Sequence, residues 1–98
     1  MTLMMKAGAY LETGRYEEGL ELSLAAQRQP NAFVWAYVYE VVALAHLDRI
    51  EEARQALERV RSIKPDFDLD FVDSTLKQGS YLGRELYIDG LKKAGLQD

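Results

Sequence analysis

The fold of this chain is decided by the hexapeptide GRYEEG at residues 14–19, which returns at residues 48–53 as DRIEEA, an offset of 34. The echo extends outward, because Tyr10 is matched by Leu44 at the same offset and Pro30 by Pro65 at an offset of 35. A period near 34 built from helical segments is typical of helix-turn-helix repeats, which form surfaces. The repeat therefore predicts an architecture and a mode of action, not a reaction centre.

Composition narrows the function classes further. The 98 residues are enough for one domain with a small core, and the absence of cysteine excludes disulfides, thiolate nucleophiles and sulfur-ligated metals. The net charge of −4 comes with no dense basic stretch, so nucleic acid is not an expected partner. No apolar run approaches the roughly 20 residues that cross a bilayer. We expect a single, all-α, cytoplasmic domain without metal or cofactor.

Hydrophobic spacing predicts six helices. Their expected bounds are about Thr2–Glu12, Arg15–Arg28, Ala32–His46 and Arg49–Ser62, then a fifth helix from about Leu69 to Gly79 and a sixth capped by Ser80. The alternating stretch FDLDF at residues 67–71 could instead form a short strand. Because a lone strand has nothing to pair with, helix is the preferred prediction there.

Helix ends and packed positions can also be predicted. Asp48 followed by Glu51 predicts a capping box, and Asp68 predicts an N-cap with a hydrophobic staple before it. Gly95 predicts a left-handed C-terminal residue, after which Leu96 packs back on the last turn. The expected inward stripes are Tyr16, Leu20, Ser23, Leu24 and Ala26 in the second helix and Ala53, Leu57, Val60 and Ile63 in the fourth.

The third predicted helix is apolar on nearly every side. Its apolar residues are Trp35, Tyr37, Val38, Tyr39, Val41, Val42, Leu44 and Ala45. A helix of this kind is buried on more than one side. We therefore expect it to pack against its neighbours and against a further element.

Residues 1–65 carry a more specific pattern of small and aromatic positions. The first copy supplies Ala7, Tyr10, Gly14, Tyr16, Gly19 and Ala26, and the second supplies Leu44, Ile50, Ala53 and Pro65. In this pattern the chain resembles two tetratricopeptide repeats, at residues 1–30 and 31–65. The resemblance implies a short right-handed α-solenoid in which residues 66–98 form a capping helix pair. Small residues at 19 and 53 would let the helices of each hairpin approach closely.

The closing stretch GLKKAGL at residues 90–96 is similar to the tail of tetratricopeptide modules that end some bacterial class III adenylate cyclases and related signalling proteins. This similarity implies one alternative, that the chain is the C-terminal regulatory piece of a larger polypeptide. Met1 close to a repeat boundary agrees with that alternative.

The resemblance implies a binding groove lined by the first helix of each hairpin. The matching residues, here called the groove face, are Met4, Leu11, Trp35, Val38, Val42, Ala45 and His46, with Gly8 and Glu12 beside them. One interpretation is an apolar groove for a partner helix or peptide, anchored by Trp35. The alternative is that the fifth and sixth helices, or a second copy, cover this surface. Some family members grip a C-terminal carboxylate with Lys, Arg and Asn, and the corresponding positions here lack those residues.

The aspartates at 66, 68 and 70 are similar to the start of a calcium-binding loop. That loop requires glycine at its sixth position and glutamate at its twelfth, where this chain has Phe71 and Lys77. Helix capping is therefore the preferred explanation of these aspartates.

Other polar residues are best explained by helix ends. His46 is the only histidine and closes a predicted helix, where it suits the dipole; a pH-sensitive contact is the alternative. The pairs Glu17-Glu18 and Glu51-Glu52 each fall in a first turn, and Lys92-Lys93 falls in a last turn. Adjacent helical residues point away from each other, so neither glutamate pair suits catalysis.

The leading hypothesis is a non-enzymatic protein-interaction module that binds a partner helix or peptide through the groove face. The alternatives are homo-oligomerisation through the same face and a regulatory appendage of a signalling enzyme such as a nucleotide cyclase. No catalytic constellation in the sequence supports a free-standing enzyme.

Overall fold

A computed structural model describes residues 3–29, 34–77 and 84–96, and these residues form six α-helices with no strand among them. The helices are α1 (Leu3–Glu12), α2 (Tyr16–Gln27), α3 (Val34–His46), α4 (Ile50–Ile63), α5 (Leu69–Lys77) and α6 (Arg84–Lys93). The prediction of an all-α chain with six helices is confirmed, including the helix that begins at Leu69. The helix boundaries expected at Pro30, Gly79 and Ser80 lie outside the described residues.

The first copy of the repeat motif builds a Schellman-type turn between α1 and α2. Gly14 adopts a left-handed conformation with φ of +83°. Its N–H donates to the carbonyl of Leu11 at 3.2 Å, and the N–H of Arg15 donates to the carbonyl of Tyr10 at 2.8 Å. The Arg15 guanidinium then reaches forward, and its Nε lies 2.7 Å from Glu18 Oε1. The hydrogen bonds donated by the N–H groups of Gly14 and Arg15 have the 5→2 and 6→1 pattern of a Schellman motif. They satisfy carbonyls that the end of a helix leaves free.

The second copy builds the same turn between α3 and α4. Asp48 is left-handed with φ of 62°, and its N–H donates to the carbonyl of Ala45 at 3.1 Å. The N–H of Arg49 donates to the carbonyl of Leu44 at 2.9 Å. Arg49 Nη2 pairs with Glu52 Oε2 at 2.5 Å. The matched residues Tyr10 and Leu44 thus supply equivalent carbonyls.

The capping box predicted from Asp48 and Glu51 is wrong. The N-cap of α4 is Arg49, and no side chain caps this helix. Asp48 occupies the left-handed position that closes α3, so its side chain is not placed to cap α4. Glu51 instead lies 3.9 Å from Arg54 on the exposed side of α4.

The other two end signals are confirmed. Asp68 Oδ1 accepts a hydrogen bond from the N–H of Phe71 at 2.8 Å, the geometry of an N-cap. At the C-terminal end Gly95 has φ of +112°, and the N–H of Leu96 donates to the carbonyl of Leu91 at 2.9 Å. Leu96 is buried as predicted.

Helix α3 lies at the centre of the fold. It packs against α1, α2, α4 and α6, and eight of its 13 residues are buried. The prediction that an element beyond its sequence neighbours covers α3 is confirmed, because α6 is that element. Helix α5 packs against α6, and its Phe71 ring stacks on Trp35 of α3 with centroids 6.3 Å apart.

Small residues allow close helix packing, as predicted for Gly19. A Cβ atom there would lie 2.8 Å from Leu11 Cδ2, so glycine lets α2 approach α1. Two predicted core positions are wrong: Leu24 is 38% exposed and Ile63 is 51% exposed. The buried residues of α2 are Gly19, Leu20, Ser23 and Ala26, and Leu24 lies at the border of the face that they form. Ile63 is the final residue of α4, beyond the buried stripe that ends at Val60.

Candidate functional site

The groove face lies mostly beneath other parts of this chain. Leu11, Val38, Val42 and Ala45 have no exposed surface. Met4 belongs to α1, and only its backbone is described. The structure therefore brings most of the predicted groove residues together and covers them. Of the two interpretations drawn from the sequence, coverage by a C-terminal helix of the same chain describes this conformation.

Helix α6 crosses α3 at Val42. A Cβ atom placed on Gly90 would lie 3.1 Å from both Cα and Cγ1 of Val42, and 3.3 Å from Cδ2 of His46. Such distances are tighter than ordinary van der Waals contact, so only glycine lets the two helices meet here without a shift. The buried stripe of α6 consists of Tyr87, Gly90 and Leu91, and Ala94 continues it in the turn that follows the helix. Its spacing of i, i+3, i+4 and i+7 is that of one helix face.

His46 ties the end of α3 to the backbone of α6. Its Nε2 lies 2.8 Å from the carbonyl oxygen of Leu86. Because a carbonyl only accepts, Nε2 carries the proton in this contact. The imidazole also stacks on the ring of Tyr16, with centroids 5.1 Å apart and planes 18° apart. The helix-end position of His46 was predicted, whereas nothing in the sequence pointed to its contact with α6.

Trp35 is the meeting point of α3, α5 and α6. Its ring centroid lies 6.1 Å from Tyr39, 6.3 Å from Phe71 and 6.5 Å from Tyr87. Trp35 is partly buried, so one part of this predicted anchor remains exposed. The aromatic contacts that an anchor would make with a partner are made here within the chain.

Two tyrosines place polar groups inside this aromatic cluster. The rings of Tyr39 and Tyr87 stack with centroids 5.6 Å apart. Both hydroxyls face Gly8 of α1, where a Cβ atom would lie 3.4 Å from each oxygen. Burial is the main cause that raises the pKa of Tyr39 and of Tyr87, because it disfavours the phenolate. The pair therefore stays protonated at neutral pH.

A second buried polar group joins three helices on the other side of α3. Glu40 is 5% exposed; its Oε1 accepts from Gln27 Nε2 at 2.9 Å and its Oε2 from Arg59 Nη2 at 2.6 Å. Gln27 also donates to the carbonyl of Ala36 at 3.3 Å. Sequence reasoning missed this network. The signal was present, since Glu40 is the only charged residue between Val34 and Ala45.

The aspartate at position 66, predicted to belong to a group of helix-capping residues, makes a local contact with a neighbouring lysine. Lys64 Nζ lies 3.1 Å from Asp66 Oδ1, and this hydrogen bond lowers the pKa of Asp66. Across residues 3–29, 34–77 and 84–96, no three His, Asp or Glu side chains are grouped as a metal site. In the same parts of the chain, no helix has the length and apolar character required to cross a bilayer.

Comparison of the chain with known protein families, with characterised proteins and with solved structures finds no match. Conclusions about function therefore depend on the contacts among α1, α3 and α6.

Proposed function

We propose that this chain is a non-catalytic protein-interaction module built from two tetratricopeptide-like hairpins, α1–α2 and α3–α4, with α5–α6 as the C-terminal cap. The support for the repeat is local. Gly14 and Asp48 adopt the same left-handed conformation in the same turn, and each turn is followed by an Arg–Glu pair three residues apart. The contact between α2 and α3 supports the proposed stacking of these hairpins into a short right-handed α-solenoid.

The observation that carries the proposal is that the groove face receives a helix. Helix α6 seats its glycine on the backbone of Val42, its tyrosine in the aromatic cluster and its Leu86 carbonyl on His46. A surface that accommodates a helix so closely is suited to binding an amphipathic partner helix, the mode in which an apolar helix face lies in a hydrophobic groove. The partner's apolar ridge would pack against Trp35, Val38 and Val42, and charges at the rim would set its orientation.

The contacts of the polar residues favour binding over catalysis. His46 uses Nε2 to hold a backbone carbonyl, and both carboxylate oxygens of Glu40 accept hydrogen bonds from neighbouring helices. General acid–base work requires a group that can exchange a proton with a substrate. The hydrogen bonds of these two side chains hold helices together.

The proposal is tested by measuring what Trp35 contributes to binding. A photo-crosslinking amino acid at position 35 identifies the protein segment that contacts the groove, and calorimetry then measures the Kd of that segment. We expect Trp35→Ala to weaken binding by about 2 kcal/mol or more, which is roughly 30-fold in Kd. Ile63→Ala, an exposed apolar truncation on α4, is the matched control and should bind like wild type. An unchanged Kd for a Trp35→Ala protein that has lost only stability would contradict the proposal.

A second candidate function, self-association, is favoured by the first hairpin. Two of the three large apolar side chains exposed among the described residues, Met5 and Leu24, belong to α1 and α2. Exposed apolar area of this kind is a feature of protein interfaces when it is contiguous. Light scattering over a range of concentrations distinguishes the two functions, because a monomer at every concentration contradicts self-association.

A further inference from the structure

Helix α6 occupies the groove face, so its sequence shows which kind of helix fits there. We infer that the partner is an amphipathic helix with the α6 pattern: a tyrosine, a glycine three residues later, a leucine at the fourth position and a small residue at the seventh. We infer also that α6 is the resident competitor that this helix displaces. Both parts rest on the proposed function. The pattern is that of Tyr87, Gly90, Leu91 and Ala94.

The glycine position is the strictest requirement. Two of the atoms that a Cβ at position 90 would meet belong to Val42, and one of them is the backbone Cα, at 3.1 Å. Backbone in the middle of α3 cannot move aside as a flexible side chain can, because α3 is held by four other helices. A helix with a larger residue at this position is therefore held away from the groove.

The tyrosine position is read by its ring and by its hydroxyl. The ring of Tyr87 stacks on Tyr39 and meets Trp35 edge to face. Its hydroxyl lies with that of Tyr39 beside Gly8 of α1, each 3.4 Å from the position of a Cβ atom there. A phenylalanine in the partner would keep the ring contacts and remove one of the two polar groups from this partly buried site, which is costly for the polar group that remains.

The contact of His46 is different, since it does not depend on the partner's sequence. Nε2 binds the carbonyl oxygen of Leu86, a backbone atom that every helix presents. His46 therefore fixes the axial position of a bound helix, while the glycine and tyrosine positions select its sequence. Axial register matters because a shift of one residue would rotate the apolar stripe by about 100°.

The properties of α6 suit a helix that can be replaced. It has only ten residues, and isolated helices below about 12–15 residues are marginal in water. Gly90 in its interior lowers the intrinsic helix stability further, relative to alanine at the same position. Helix α6 is thus helical because the groove holds it. A tethered helix also competes at an effective concentration in the millimolar range, so intact α6 weakens the apparent affinity of a partner.

The inference is tested with a fluorescent peptide of residues 84–96, RELYIDGLKKAGL, titrated into the full chain. The full-length Gly90→Leu variant should bind this peptide at least tenfold more tightly than wild type, because its own α6 cannot seat against Val42. Asp89→Leu is the matched control: it places the same side chain at the exposed neighbouring position and should bind like wild type. A peptide carrying the Gly90→Leu change should bind none of the three proteins.

Three outcomes would overturn the inference. The first is a helical, folded Gly90→Leu chain that binds the peptide no better than wild type, and the second is equal binding of the two peptides. The third is a wild-type dimer in which α6 helices have changed places between copies, since this would assign the groove to a second copy.

Hydrogen exchange on the wild-type chain keeps the inference testable if Gly90→Leu does not fold. Amides of α6 should exchange at least tenfold faster than interior amides of α3, because α6 opens alone. Equal protection of the two helices would contradict the role of α6 as a displaceable competitor. Failure of the peptide experiments leaves the Trp35→Ala test of the proposed function intact, because that test uses whichever segment is crosslinked at position 35.

Discussion

The two hairpins share a turn and differ in nearly everything around it. At equivalent positions, separated by 34 residues, Met5 is 61% exposed whereas Tyr39 stacks inside the aromatic cluster. Lys6 is exposed, whereas Glu40 is buried and paired. Helix α1 packs against α2 and α3, while α3 is enclosed by four helices. The difference teaches that a repeated sequence motif reproduces local backbone geometry, and that the environment of each copy decides what its faces contain.

The largest expected effect removes the aromatic contact that only the second hairpin has. Tyr39→Ala should lower the free energy of unfolding by about 3 kcal/mol, because it deletes ring contacts with Trp35 and Tyr87 and leaves a cavity. Met5→Ala, at the equivalent position of the first hairpin, should change it by less than about 0.5 kcal/mol. Chemical denaturation followed by circular dichroism measures both. Equal losses would mean that the two positions have similar environments.

The next effect removes the charge pair that has no counterpart in the first hairpin. Arg59→Ala should cost about 2 kcal/mol, because it leaves the buried Glu40 carboxylate with Gln27 alone. Arg54→Ala, on the exposed face of the same helix, should cost less than about 0.5 kcal/mol. Adding Glu40→Gln to Arg59→Ala should recover part of the loss, since the uncompensated charge is then gone. A double variant less stable than Arg59→Ala would argue against this account.

A smaller effect exchanges the left-handed residues of the two turns, Gly14 and Asp48. Gly14→Asp should destabilise the chain by about 1 kcal/mol, because a side chain disfavours the left-handed conformation. Asp48→Gly should stabilise it by a few tenths to about 1 kcal/mol for the same reason, less the greater entropy of glycine in the unfolded chain. The chain with both changes should unfold close to wild type. A destabilising Asp48→Gly would show that the aspartate side chain has its own role in the second turn.

The smallest effect at neutral pH comes from the ionisation of Tyr39 and Tyr87, and it can be measured in alkaline solution. The pKa values of Tyr39 and Tyr87 are raised in the folded chain, so unfolded tyrosines lose their protons first, from about pH 10. The stabilising contribution is complete below pH 10 and is lost as pH rises toward the folded pKa values. Denaturation midpoints should therefore fall above pH 10, and less steeply in Tyr87→Phe. Tyrosinate absorbance measures the ionisation directly. If the denaturation midpoint falls equally steeply with pH in wild type and in Tyr87→Phe, the raised pKa of Tyr87 does not contribute to the loss of stability.

Much of the local structure could be predicted from the sequence. The six helices, the cap at Asp68 and the C-terminal turn at Gly95 each depend on a few consecutive residues, whose spacing and backbone preferences are written in the sequence. Two core positions, Leu24 and Ile63, were predicted wrongly because they lie at the border and at the end of a buried stripe. The wrong capping box concerned which of two neighbouring roles a residue plays. Asp48 can cap one helix or close another, and only the path of the chain decides between them.

The groove shows where sequence reasoning ended. Its residues could be collected from the 34-residue repeat, and the all-round apolarity of α3 indicated that something would cover them. The sequence left the fifth and sixth helices and a second copy as alternatives for this cover, since the contacts of Gly90 with Val42 and of Leu86 with His46 join residues 40 or more positions apart. The sequence by itself determined the helices, their turns and an apolar central helix, because those follow from short-range periodicity and backbone preference. Only the tertiary structure decided that α6 occupies the groove, because packing between distant helices depends on three-dimensional fit at single residues.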